Sequence, residues 1–185
     1  LINIYTTDNT MNRLKNQRVY LVGAMDRVAD RGVGWREDIT PYLENLGVTV
    51  YNPLKKPIDI GKEDNASFLK KIEYRTTKDY DKLSEMMKMV RNVDLRLVDI
   101  SDFIIVNLNL NTHPCGTYEE IFLANRQKKP IIVHVEQGKH QTPDWLFGCI
   151  PHQLFFSSWD EIKVYLNYIN TSDSIEHFNR WYFFN

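Results

Sequence analysis

The chain has 185 residues, 43% of them hydrophobic and 25% charged, with a formal net charge of −1. That length supports one full core and leaves little for a second, and the near-neutral charge excludes electrostatic capture of a nucleic-acid polymer or an anionic membrane. Cys115 and Cys149 give neither a disulfide framework nor a metal-ligand spacing, and no apolar run approaches the roughly 18 residues of a membrane span. No signal peptide is visible, so a cytoplasmic protein is expected.

Residues 1–17 lack a period and are expected to lie outside the fold, with Met11 a natural start. Residues 18–22 read as a buried first strand that Gly23 ends. The polar loop after it carries Gly32 and Gly34 and enters a helix that reaches Leu46, with Gly47 as its stop. Pro41 interrupts this helix and suits a restart at Thr40-Pro41. Neither G-x-G-x-x-G nor G-K-[ST] follows the strand, which disfavours a dinucleotide or P-loop site. The loop still lies at a strand's carboxyl end, where ligands collect in open parallel sheets. Gly23, Met25, Asp26, Arg27 and Trp35 are therefore candidates for a substrate lip.

Residues 48–51 form the second expected strand. Residues 54–79 make a long polar connection of a kind often used as a lid or insertion, with a short helix over 66–74. Its basic residues, Lys56, Lys71 and Arg75 among them, alternate with acids and read as a solvated face. In the following helix, Leu83, Met87, Val90, Asp94 and Leu97 share one face. Asp94 thus sits on an apolar stripe, where an unpaired carboxylate costs several kcal/mol or takes up a proton. Either it serves acid/base chemistry, or it reaches a backbone amide or an arginine such as Arg96 or Arg18.

The central unit runs from Val93 to Val135: two apolar runs, 103–106 and 131–135, flank a helical segment, as parallel strands joined by a crossover do. Between them lie Asn111, Thr112 and His113, then Gly116, Thr117 and Glu120. Thr117-x-x-Glu120 fits a capping box with Thr117 at the N-cap, and the same glutamate sits where a strand-end carboxylate could do chemistry. Beyond the fourth strand, a loop carries Asp144, Trp145 and Phe147. Residues 154–156 read as a fifth strand, and a last core helix spans 162–169. The tail, with Trp181, Tyr182, Phe183 and Phe184, is expected to pack on the core or on another subunit.

Four pieces in order, Y-L-V-G, D-x-x-x-x-x-x-S-D-x-I-I-V, G-T-x-x-E-I and K-P-I-I-V, resemble the nucleoside 2-deoxyribosyltransferase family over residues 18–166. That superfamily also includes 2'-deoxynucleoside 5'-monophosphate N-hydrolases. The resemblance implies Glu120 as nucleophile, Tyr20 as the residue that holds it, and Asp94 as the group acting on the base. The family's sugar-binding aspartate before the nucleophile is replaced by Asn111, Thr112 and His113. Its asparagine donated to a neighbouring subunit is absent near Asp144 and Phe147.

The expectation is an α/β fold with a doubly wound, flavodoxin-like (Rossmann-like), five-stranded parallel sheet over 18–169, an extension at 1–17 and an aromatic tail at 170–185. Cleavage of a deoxynucleoside N-glycosidic bond, with transfer of the deoxyribosyl group to another base, is the leading function. Hydrolysis of 5'-monophosphates and a non-catalytic nucleotide-binding module are the alternatives. The partners are a small deoxynucleoside or deoxynucleotide, a free nucleobase and further copies of the chain, with no cofactor and no metal. Asp26 after the first strand would repel a phosphate, which favours free deoxynucleosides.

Overall fold

The computed structural model describes residues 11–26, 28–56, 58–173 and 179–183. Its sheet is parallel throughout, in the order β2-β1-β3-β4-β5. The strands are β1 (Arg18–Gly23), β2 (Thr49–Tyr51), β3 (Phe103–Leu108), β4 (Ile131–Val135) and β5 (Phe155–Phe156). The helices are α1 (Val33–Asn45), α2 (Asn65–Thr76), α3 (Tyr80–Ile100), α4 (Cys115–Arg126), α5 (Asp144–Phe147) and α6 (Trp159–Thr171). This is the doubly wound, flavodoxin-like arrangement, with helices on both faces. The strand order reverses between β1 and β3, so a crevice opens there at the strands' carboxyl ends.

Strand alternation sorts the core into two layers. Val19 and Leu21 of β1 face Ile39 and Leu43 of α1 and Ile162, Leu166 and Ile169 of α6. Tyr20 and Val22 face Val93, Leu97 and Val98 of α3 and Ile121 and Ala124 of α4. All six residues of β3 are buried, as a central parallel strand covered on both faces requires. No helix among the described residues is long and apolar enough to cross a membrane.

Several local expectations are corrected. Leu14 is completely buried, and its N–H donates to Asn170 Oδ1 at 2.9 Å, so residues 11–17 are part of the fold, while 1–10 lie outside the described residues. Pro41 lies inside a continuous α1 rather than restarting it. A proline there cannot donate to Glu37 O; one residue earlier the Thr40 hydroxyl donates to Arg36 O at 2.6 Å. Thr117 is not an N-cap. The helix begins earlier, at Cys115, because Tyr118 N already bonds to Pro114 O, and Thr117 is buried within the first turn.

In the tail, Trp181 is buried against Phe103 and donates its indole N–H to the Tyr165 hydroxyl at 3.0 Å. Phe183 stacks on Trp181, while Tyr182 is exposed. Phe184 lies outside the described residues, as do 174–178 and Arg27.

Candidate active site

Three carboxylates meet at the crevice. Tyr20 points from β1 into the α3/α4 layer and donates its hydroxyl to Glu120 Oε1 at 2.9 Å. Glu120 comes from the second turn of α4 and is 8% exposed. Asp94 comes from the buried stripe of α3, between Val90 and Leu97. The third carboxylate is Glu63, in the segment that leads into α2, and it is also buried.

Asp94 is not held by either expected arginine. Arg18 forks onto Asp102, with Nε and Nη2 donating at 3.0 and 2.9 Å, and Arg96 lies beside Asp99. Its partner is Lys56, whose ammonium lies 2.7 Å from Asp94 Oδ1. The same ammonium donates to Glu63 Oε2 at 2.8 Å and to Gly61 O at 2.7 Å. Those two bonds set its direction, so the Asp94 contact is an ion pair without hydrogen-bond alignment, and Oδ1 has no donor among the described residues.

Arg36 completes the charge pattern. It lies on the buried face of α1 with Ile39 and Leu43 and is fully enclosed. Its guanidinium donates to Gly32 O at 2.8 Å and Gly23 O at 3.0 Å, and it stacks over Trp35. Burial lowers its pKa to about 10, with the surrounding carboxylates opposing that shift. Gly23 is needed for space: a Cβ there would stand 3.0 Å from both Asn107 O and the Trp35 ring.

The electrostatics follow from this crowding. Burial raises the Glu120 carboxyl to about 8, the Asp94 charge adds to the rise, and the Tyr20 hydrogen bond and Arg36 oppose it. Burial likewise raises Asp94 to about 6, helped by Glu63 and opposed by Lys56 and by the Tyr20 hydroxyl. Burial and the Glu120 charge push Tyr20 well above its ordinary value, so it stays a neutral donor. Two buried carboxyls whose charges repel in one cavity titrate as a pair. Near neutral pH that pair keeps one proton.

These side chains line a cavity of about 730 Å³. Among the sequence candidates, Gly23, Met25, Asp26, His113, Gly116, Thr117, Glu120, Asp94 and Tyr20 lie on its wall. Trp35 does not. It stacks on Trp159 at 5.3 Å and lines a separate cavity of about 280 Å³ with Asn107, His134 and Glu136. Asn111, Asp144 and Phe147 are also away from the large cavity: Asn111 binds Asn109 through its backbone, Asp144 opens α5, and Phe147 packs on Phe155. Asn111 sits on a loop, and Asp144 and Phe147 on a one-turn helix, whose courses no periodicity dictates.

Sequence reasoning missed Lys56, Glu63, Lys71 and Arg36. The supposed solvated face is wrong for Lys56 and Lys71, whose side chains are 1% and 6% exposed. Lys71 meets Asp26 at 2.7 Å across the cavity mouth, and Arg31 binds Asn65 and the carbonyl of Glu63, tying α2 to the loop after β1. Arg36 carried a readable signal, since it falls with Ile39 and Leu43 on one helical face, as Asp94 does on α3.

Fold and site together define a doubly wound α/β domain with a carboxylate cavity at its switch point. No protein-family model matches the chain, and no curated protein does. Among solved structures it is similar to the 2-deoxyribosyltransferase of Bacillus psychrosaccharolyticus, at 16% identity and a TM-score of 0.52, over 79% of this chain and 90% of that one. Weaker likenesses are a 2-deoxyribosyltransferase from Leishmania mexicana (16%, TM-score 0.48, 82% and 97%) and a Clostridium botulinum CMP N-glycosidase (18%, TM-score 0.45, 82% and 98%). At such identities the likeness is one of fold.

Proposed function

We propose that the protein breaks the N-glycosidic bond of a 2'-deoxynucleoside or its 5'-phosphate, with Glu120 as nucleophile and Asp94 as acid. The observation that carries this reading is a pair of buried carboxyls, Glu120 and Asp94, on the wall of one cavity, with the Tyr20 hydroxyl donating to Glu120. The cavity volume falls within the roughly 300–1,000 Å³ of small-molecule sites. The fold neighbour from Bacillus psychrosaccharolyticus, a 2-deoxyribosyltransferase, supports the same class of chemistry.

In the proposed reaction the pair's single proton, which the higher pKa of Glu120 keeps on that residue in the free site, shifts to Asp94 when substrate binds. The Glu120 carboxylate then attacks C1', and the bond from C1' to the base nitrogen breaks. Its electron pair leaves with the base, which takes the pair's proton from Asp94. The result is a glycosyl ester on Glu120, as in retaining glycosidases. A second base or a water then attacks C1', gives its proton to the Asp94 carboxylate and releases Glu120 as the carboxylate, giving transfer or hydrolysis. Tyr20 holds Glu120 in position and steadies its charge when the ester is broken.

A second reading, the 5'-monophosphate, is favoured by Lys71. The charge of Asp26 argued against phosphate, but Lys71 compensates it at 2.7 Å, and Arg75 follows one turn later on the cavity wall. Incubation with deoxynucleosides and with their monophosphates, each with and without a second free base, decides. Base exchange on nucleosides supports the transferase, and deoxyribose 5-phosphate with free base supports the hydrolase. No release from either substrate overturns the enzymatic reading.

The protein is further proposed to act as a homo-oligomer. Trp145, 78% exposed, lies beside the exposed Phe147, and Leu69 and Ile72 are exposed on α2. A monomeric mass by light scattering at micromolar concentration would overturn this.

A further inference from the structure

The segment between β2 and α2 supplies two charges that the proposed mechanism leaves without a task. Lys56 and Glu63 are buried, and Lys56 touches Glu63, Asp94 and Gly61 O at 2.8, 2.7 and 2.7 Å. The turn that presents Gly61 O is built for it: Gly61 has φ +68, and a Cβ there would stand 2.9 Å from Met89 O. A buried lysine fixed by three oxygens, only one of them on the reacting pair, is placed to bias that pair.

We propose that Lys56 and Glu63 are positioning residues that keep a single proton on the Asp94–Glu120 pair. The inference rests on the reading of that pair as the reacting carboxyls. Around it stand three carboxylates (Glu63, Asp94, Glu120) against two cations (Lys56, Arg36), so the enclosed charge is −1 until one proton is bound. The contacts run from Glu63 to Lys56 and from Lys56 to Asp94, and the Asp94 charge acts on Glu120 across the same cavity wall, where the Tyr20 hydroxyl donates to Glu120. Lys56 opposes protonation of Asp94 and Glu63 promotes it, so together they set where the pair gains its second proton and loses its last.

The other charged groups facing the pair are otherwise engaged. From α1, Arg36 binds backbone carbonyls. From α3, Arg91 is forked onto Glu119 of α4. From α2, Lys71 is held by Asp26. Arg75 on α2 and His113 before α4 also stand on the cavity wall, with no hydrogen bond or ion pair to either carboxyl among the described residues.

The test uses the full chain with Lys56→Met, Glu63→Gln, the double variant and Lys56→Arg. Two readouts are taken: carboxyl titration by carbon-13 NMR without substrate, with Asp94→Asn assigning the signal, and the pH profile of base release. Removing the cation should move the Asp94 titration and both limbs of the profile to higher pH by about 1 unit or more. Glu63→Gln should move them down, the double variant should return toward wild type, and Lys56→Arg should leave them near wild type. A merely structural role would lower activity without opposite displacements. If Lys56→Met does not fold, the nearly isosteric Glu63→Gln decides alone, since an unmoved titration overturns the proposal. If the wild type releases no base, the functional reading fails, while the NMR titration still confirms or refutes the proton-holding role.

Discussion

Two stretches of this chain carry the same local pattern, hydroxyl-x-x-Glu before an apolar helix. At Ser158-x-x-Glu161 it forms a capping box: the Ser158 side chain accepts from Glu161 N, and Glu161 Oε2 accepts from Ser158 N at 3.2 Å. At Thr117-x-x-Glu120 it does not. There α4 has already begun, Thr117 is inside the first turn, and Glu120 turns away from its own backbone to Tyr20 on β1. The difference is burial. Glu161 lies in water, where the exposed helix end is its best partner, whereas Glu120 is enclosed beside two other carboxylates. A pattern of four residues cannot separate these outcomes, because both meet the local requirement and only the tertiary surroundings choose.

The comparison breaks most visibly at Glu120 itself. Glu120→Ala should lower base release by at least about 10³-fold while the protein still folds, because it removes a buried carboxyl and no cap. Retained turnover in the purified variant would return Glu120 to a structural role. Asp94→Asn comes next, with a loss of about 10²–10⁴-fold on natural nucleosides and a much smaller one on substrates with a good leaving group. Equal losses on both would mark Asp94 as structural.

Glu120 and Asp94 were legible because each sits on a regular element: Asp94 interrupts a helical stripe, and Glu120 lies at a strand-to-helix junction. Tyr20 came from the family resemblance alone, since a strand buried on both faces singles out no residue. The parallel sheet and its crossover were legible for the same reason, from the apolar runs of β1, β3 and β4. Lys56 and Glu63 were not, since the turn holding them has no period and their burial depends on α3 passing behind Gly61. Leu14 was missed likewise: one apolar residue in a polar segment gives no pattern, yet Asn170 and the α1/α6 layer fix it.

The pH dependence of stability sharpens the contrast between the two glutamates. Glu120 has its folded pKa raised from 4.5 to about 8, so the folded protein binds the extra proton between these values. Its contribution to stability is therefore full below about pH 4.5 and is lost as pH rises through about 8. Glu120→Gln keeps the shape without the ionisation. It should be more stable than wild type by on the order of 4 kcal/mol near pH 8, with the gap closing toward pH 4.5. Urea midpoints for both proteins across that range measure it, and a constant gap would mean that Glu120 is not titrating over this interval.

The smallest effect belongs to the other member of the comparison. Ser158→Ala removes the hydroxyl that accepts from Glu161 N at 3.3 Å, and frees Glu161 from the reciprocal arrangement. The helix it opens is anchored by Ile162, Leu166 and Ile169 in the α1/α6 layer, so packing keeps α6 in place and only its first turn frays. The expected cost is about 1 kcal/mol, read as a lower urea midpoint with an unchanged slope. Base release should stay within about twofold of wild type, because Ser158 and Glu161 lie outside the wall of the large cavity. A variant that kept its midpoint would show the cap to be idle. One that lost activity as Glu120→Ala does would erase the distinction between the two glutamates.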